Sequence, residues 1–170
     1  MPTELSPAPL AEAITAQHTF RNAMAQLAAA VHVVTTDGRG GKAGFAASAV
    51  CSVTDSPPTL LVCLNRGSSA WQATTENARV CINTLSAGQQ AVSALFGGKT
   101  AMTERFAGVE WLERAGKAPA LAGAAMSIDC RIVNATTVGS HDVLFCEVDE
   151  IIDNQAGSSL LYFNRQYHSL

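Results

Sequence analysis

Two stretches of this chain carry residue types that can do chemistry at a meaningful spacing. The first is Asn65-Arg-Gly-Ser-Ser69, a polar loop that leaves a strand-like run and enters a helical pattern. Unpaired amides at a helix start, hydroxyls and a neighbouring guanidinium together make an anion site. The competing reading is that Ser69 merely caps its helix. The second is Gly44-Phe-Ala-Ala-Ser-Ala-Val-Cys-Ser-Val-Thr54, extended but built from small residues and hydroxyls where a core strand would carry Val, Ile or Phe. Small side chains let something flat and large approach the backbone. The hydroxyls of Ser48 and Ser52, with freed backbone groups, can then hydrogen-bond the guest. A planar cofactor with a polar edge, such as a flavin, suits this description; close packing of sheet on sheet selects the same residues.

A third candidate is His141 in Gly139-Ser-His-Asp, between two apolar strand patterns. Hairpin turns favour Gly, Asn or Asp, and a histidine there is ordinarily just exposed. His18 and His32 fall in helix and strand patterns and carry no functional argument. Cys51, Cys63, Cys81, Cys130 and Cys146 all lie in apolar strand-like segments, odd in number and without Cys-x-x-Cys spacing. Buried reduced thiols of a cytoplasmic protein are the economical reading, so neither a metal site nor a redox-active thiol pair is expected. Gly38-x-Gly40 imitates part of a dinucleotide-binding fingerprint, but that motif requires a helix directly afterwards, and a strand pattern follows.

The elements that must position these groups are short. Phe20, Met24 and Leu27 recur at helical spacing and predict an amphipathic helix over residues 18–29, after a mobile arm over residues 1–16. Residues 30–36 read as a strand, Asp37-Gly-Arg-Gly-Gly41 as a turn, and the small-residue run as the returning strand. Pro57-Pro58 precedes a strand over residues 59–64. Ser69-x-x-Gln72 and Ser86-x-x-Gln89 have capping-box spacing and open two short helices. Val92, Leu95 and Phe96 form the second helix's apolar face until Gly97-Gly98 ends it. Strands follow at residues 78–83, 127–138, 142–152 and 159–163, with a loop containing helical turns over residues 100–119. Six to seven strands with a few helices and no regular βαβ alternation predict a mainly β, closed antiparallel barrel.

Composition bounds the partners. The 170 residues suit one domain, with 48% hydrophobic and only 15% charged residues and a mean hydropathy of +0.15. So few charges leave little with which to solvate a whole exterior, which predicts a face buried against another subunit. A net charge of -3 disfavours nucleic acid as partner. No apolar run is long enough to cross a bilayer, and Met1-Pro-Thr-Glu-Leu-Ser-Pro lacks the basic start of a secretory signal.

Several motifs in succession resemble the short-chain flavin reductases that supply reduced flavin to two-component monooxygenases. They are Ala-Ser-Ala-Val-Cys-Ser-Val-Thr-Asp-Ser-Pro-Pro58, Cys63-Leu-Asn-Arg-Gly-Ser-Ser69, Cys81-Ile-Asn-Thr-Leu85, Leu95-Phe-Gly-Gly-Lys-Thr100, Gly139-Ser-His-Asp-Val-Leu-Phe145 and Tyr162-Phe-Asn-Arg-Gln-Tyr-His168. The wording is nearest to the branch serving oxidative pyrimidine utilisation, then to that serving 4-hydroxyphenylacetate hydroxylation. The resemblance implies an FMN-binding split barrel of Greek-key type, homodimeric, spanning residues 17–170. It implies hydride transfer from NADH (NADPH as alternative) to FMN (FAD as alternative). Reduced flavin would leave for a pyrimidine-ring-opening oxygenase or an aromatic hydroxylase. The rival reading is a non-catalytic flavin carrier on the same barrel.

By the same resemblance, Asn65, Ser68 and Ser69 hold the flavin phosphate, with Lys99 as a second positive charge; Arg66, an exposed arginine, needs no ligand. The isoalloxazine lies along Phe45, Ala46, Ala47, Ser48, Ala49, Val50, Cys51 and Ser52, with Asn83, Thr84 and Tyr167 as further lining. His141 orients the nicotinamide. The family often has Asp before this histidine where this chain has Ser140, which leaves Asp142 as the nearest acid.

Overall fold

The computed structural model describes residues 10–112 and 114–170. Its elements in chain order are α1 (Leu10–Met24), β1 (Ala29–Ala30), β2 (His32–Thr36), β3 (Ala43–Ala47), β4 (Val50–Asp55), β5 (Pro58–Asn65), α2 (Trp71–Asn77) and β6 (Arg79–Thr84). There follow α3 (Gln90–Gly97), α4 (Met102–Ala107), β7 (Trp111–Leu112), β8 (Ala120–Leu121), β9 (Met126–Val138), β10 (His141–Asp153), β11 (Leu160–Phe163) and β12 (Gln166–Ser169). The protein is mainly β, as its short alternating segments predict.

Seven strands form one antiparallel sheet in the order β3-β2-β6-β9-β10-β5-β4. The small-residue run supplies both edges. Its first half, β3, pairs with β2, and its second half, β4, pairs with β5, while Ser48 and Ala49 link the two. Because two residues join the first strand of the order to the last, the sheet has to curl round on itself. No ladder joins β3 to β4 among the described residues, so the fully closed barrel expected from sequence is corrected to a curled, open sheet. The reason is local: the chain crosses from one edge to the other at Ser48, and Cys63 N–H bonds Ala49 O at 3.1 Å in place of a continuing β3 pairing.

Val33 and Val34, neighbours on β2 that face opposite ways, are both fully buried, which shows a core on each side of the sheet. Inside the curl, Val34, Phe45, Val62, Leu64, Val80, Ile82 and Leu144 pack together. On the other side, Val33, Leu85, Phe96, Leu121 and Leu160 pack with the α3–α4 region. There Phe96 meets Phe106 and Trp111 edge-on, with centroids 5.3 and 5.8 Å apart, the geometry aromatic quadrupoles prefer. The long hairpin β9–β10 turns through Gly139 and Ser140, and Gly139 has φ +57°, the left-handed conformation a two-residue hairpin turn asks of its first residue.

Three local expectations change. The first helix runs over Leu10–Met24 rather than 18–29, so residues 10–16 of the expected arm are helical, and residues 1–9 lie outside the described residues. Its apolar residues are left uncovered: Phe20 is 63% exposed, Met24 42% and Leu27, beyond the helix, 62%. Ser69 does not cap α2, whose N-cap is Ala70 without a side-chain bond. Ser68 does that work instead, its Oγ accepting from Ala70 N–H and its carbonyl from Trp71 N–H. At Ser86 half of the expected box forms, Gln89 Oε1 accepting from Ser86 N–H at 3.0 Å. The five cysteines are unpaired. Burial raises the Cys81 thiol to about 11 and Cys146 to about 12.

Candidate active site

Where β3 and β4 part, the gap opens into a cleft of about 510 Å³. One wall is the bend itself, Phe45, Ala46, Ala47, Ser48 and Ala49; another is the end of β5, Cys63 to Asn65, with Gly67, Ser68 and Ser69 beyond it. Phe96, Gly97 and Gly98 at the end of α3, with Arg105 from α4, make the side facing the bend, and His141 stands at the rim. The sheet register explains the meeting. His141, first residue of β10, pairs with Asn65, last residue of β5, so the histidine and the polar loop share one sheet end. Ala46, Ala47 and Ala49 present little more than backbone to the cleft, as the sequence pattern predicts.

The polar loop spends most, but not all, of its amides on itself and its neighbours. Arg66 N–H bonds Ser140 O, Gly67 N–H bonds Asn65 Oδ1, Ser68 N–H bonds Asn65 O, and Ser68 takes the amides of Ala70 and Trp71. What remains for a guest is the O–H of Ser68, whose oxygen is already an acceptor, the side-chain N–H groups of Asn65 and the hydroxyl and backbone N–H of the exposed Ser69. Arg66 turns aside. Its guanidinium lies over the Trp71 ring at 5.6 Å, and its Nε is 3.9 Å from Asp142 Oδ1.

His141 is exposed, and its Nδ1 lies 2.9 Å from Ser140 Oγ. Asp142 does not pair with it. Thr137 Oγ1 and Trp71 Nε1 donate to the Asp142 carboxylate at 2.7 Å each, and with Arg66 nearby these bonds hold its pKa below the usual carboxylate range. Asp142 is thus the clamp that fixes Trp71, and Trp71 opens α2 behind the loop.

Several sequence candidates lie away from this cleft. Val50, Cys51 and Ser52, on β4, are not among its lining residues. Asn83 is fully buried: its Nδ2 donates to Val33 O, and its Oδ1 accepts from Leu121 N–H and Ser127 Oγ. Thr84 is buried beside His32, 3.1 Å from the ring Nδ1. Asn83 and Thr84 end β6, as the sequence reading has it, but β6 lies between β2 and β9, so both are buried in a core polar seam and neither lines the cleft. Lys99 is exposed and outside the lining. Arg105, which no motif flagged, is the cation that reaches the cleft instead; an arginine following Met102-Thr-Glu reads in sequence as one more helix-surface charge.

Tyr167 belongs to an adjoining chamber of about 310 Å³ that shares Ala46, Ala47, Ser48, Gly97 and Gly98 with the main cleft. Its hydroxyl lies 2.9 Å from Ser93 Oγ and its ring 5.2 Å from that of Tyr162. Among the described residues no cluster of His, Cys, Asp or Glu could hold a metal ion, and no helix is long and apolar enough to cross a membrane.

The curled antiparallel sheet is thus open at one seam, where a small-residue bend and a Ser-Ser loop line the same cleft. Residues 24–170 match the family model described as a flavin reductase like domain, and the chain belongs to that family. It is 58% identical over 151 residues to the FMN reductase (NADH) RutF of Variovorax paradoxus, covering 89% of this chain and 84% of that protein. It is 52% identical over 171 residues to the FMN reductase (NADH) RutF of Pseudomonas syringae pv. syringae, covering 100% and 96%. Among solved structures, nitrilotriacetate monooxygenase component B from Mycobacterium thermoresistibile superposes with a TM-score of 0.85 at 31% identity, over 94% of this chain and 88% of that one.

Proposed function

We propose that this chain is an NADH-dependent FMN reductase that releases reduced FMN to a separate monooxygenase. The observation that carries the reading is the cleft, which draws the small-residue bend, the Ser68-Ser69 loop and His141 to one end of the sheet. Its volume of about 510 Å³ lies within the range of cofactor and small-molecule sites. FMN fits these walls in kind. Phe45, Ala46, Ala47, Ser48 and Ala49 leave backbone and open space for a flat ring, and Asn65, Ser68 and Ser69 offer hydroxyl and amide groups to its phosphate. When bound, FMN accepts the hydride. The protein's part is to hold donor and acceptor face to face at roughly 3–3.5 Å and to keep water out. Backbone dipoles at the bend stabilise the negative charge of the reduced ring. His141, exposed at the rim, orients the nicotinamide, and hydride transfer asks no proton of it.

The relatives named above as FMN reductase (NADH) support FMN over FAD and NADH over NADPH, and the partner oxygenase that fits them is the pyrimidine-ring-opening kind. Residues 17–170 act as one reductase domain in the cytoplasm, as a homodimer. The uncovered apolar residues support the dimer: Phe20, Met24 and Leu27 border a groove with Ala29, Ser48 and Tyr162. A second subunit seated there would cover them and complete the split barrel at Ser48.

The deciding experiment follows NADH oxidation at 340 nm with FMN, FAD or riboflavin added in turn. Turnover that scales with free FMN establishes the reductase. FMN binding without turnover assigns the chain to the carrier reading.

A further inference from the structure

Arg105 is a charged side chain that hydride transfer does not explain. It is only 5% exposed, yet it lines the cleft. Its Nε donates to Thr100 O at 2.8 Å, Nη1 to Gly44 O at 3.2 Å and Phe96 O at 3.4 Å, and Nη2 to Gly98 O at 2.9 Å. All four acceptors are neutral carbonyls. None of the ion pairs among the described residues includes Arg105. A guanidinium has five N–H donors, so one N–H on Nη2 has no protein acceptor among the described residues.

Two consequences follow from where those carbonyls are. The helix α3 ends at Gly97, beside the cleft, and the last carbonyls of a helix are the negative end of its dipole. Left bare, they would repel an anion. Arg105 binds the carbonyl of Phe96 and that of Gly98 just beyond, and so turns a negative wall into a positive one. Its contact to Gly44 O also ties this wall to β3, whose continuation is the small-residue bend on the opposite side of the same cleft.

We infer that Arg105 positions the wall of residues 97–100 and supplies, through its spare N–H and unneutralised charge, the cation for the flavin phosphate. The exposed Lys99 does not fill this role. The inference rests on the flavin reading of the cleft.

The test measures binding of FMN and of riboflavin, which lacks the phosphate, by quenching of flavin fluorescence. The proteins compared are the wild type, R105M, R105K and the surface double variant R66M/K99M. The wild type should prefer FMN. R105M should lose about tenfold of that preference, the scale of one charge-assisted hydrogen bond. R105K should weaken both flavins, because an ammonium cannot reproduce the guanidinium's fixed fork, while keeping the preference within about threefold. R66M/K99M should keep it too. A merely structural Arg105 would weaken both flavins alike and leave their ratio untouched, and that result overturns the inference. So does loss of the preference in R66M/K99M. If circular dichroism shows R105M unfolded, R105K decides: a retained preference supports the inference and a lost one overturns it. Wild-type protein that binds neither flavin would instead remove the flavin reading itself.

Discussion

Asn65 and Asn83 look alike in sequence, each following an apolar strand-like run and preceding a turn, and the fold gives them opposite duties. Asn83 lies on β6, between β2 and β9, where every polar atom must find a protein partner; it bonds Val33, Leu121 and Ser127. Asn65 closes β5 at the sheet end beside His141, bonds only its own loop, and borders the cleft. The same contrast separates His32 from His141. One is sealed against Thr84; the other is exposed at the rim. Polar side chains inside a sheet are consumed by the fold, whereas those at its end keep donors to spare for a guest.

Four measurements break or sharpen this comparison. The largest effect belongs to Asn83→Leu, which strands the Leu121 amide, the Val33 carbonyl and the Ser127 hydroxyl. Urea unfolding should show a loss of about 3–5 kcal/mol; a loss below about 1 kcal/mol would refute the claim that this seam is structural.

His32 comes next. Burial depresses its pKa from 6.5 to about 4. The folded protein therefore refuses a proton that the unfolded chain accepts between those values, and stability falls as pH drops from about 6.5 toward 4. At the lower end the loss approaches about 3 kcal/mol. Melting temperature of wild type against His32→Gln across that window checks it: the variant's acid slope should be shallower. The depressed Asp142 carboxyl adds stability present above its unfolded pKa and lost only as pH falls through its lower folded value, so the two groups separate along the pH axis.

At the cleft, the expected effects move from stability to function. Ser69→Ala should weaken FMN binding by about tenfold, the lower end of what a hydrogen bond to a charged group is worth. Because the hydroxyl is exposed and caps nothing, unfolding free energy should stay within about 0.5 kcal/mol of wild type. Equal weakening of riboflavin would place Ser69 elsewhere than at the phosphate. The smallest effect is expected from His141→Ala, a severalfold rise in the KM for NADH with FMN affinity unchanged. A KM and turnover both at wild-type values would remove His141 from the nicotinamide site.

Much of this arrangement was legible in the chain. The strand pattern, the Pro57-Pro58 entry to β5, the Gly97 stop of α3 and the small-residue run all follow from local chemistry acting over a few residues. The cleft residues that sequence found, Phe45 to Ala49, Asn65, Ser68, Ser69 and His141, lie on bends and loops whose composition announces spare polar capacity. The misreadings have a common cause. Whether Asn83, at the end of β6, lines the site or is sealed in a polar seam depends on which strands flank β6. Whether Ser68 or Ser69 caps α2 depends on a one-residue difference in where the helix begins. Phe20, Met24 and Leu27 carry a correct helical period that says nothing about what covers it.

The sequence by itself determined the class of elements, the family and the small-residue character of the site, because propensity, turn chemistry and ordered motifs act at short range. Only the tertiary structure decided that a single run forms both edges of the sheet and that Arg105, remote from the loop in sequence, reaches the cleft in place of Lys99. It also decided that Asp142 clamps Trp71 rather than His141. Those outcomes depend on which carbonyls and carboxylates lie within about 3 Å of a donor once the sheet has curled, and no local pattern encodes that distance.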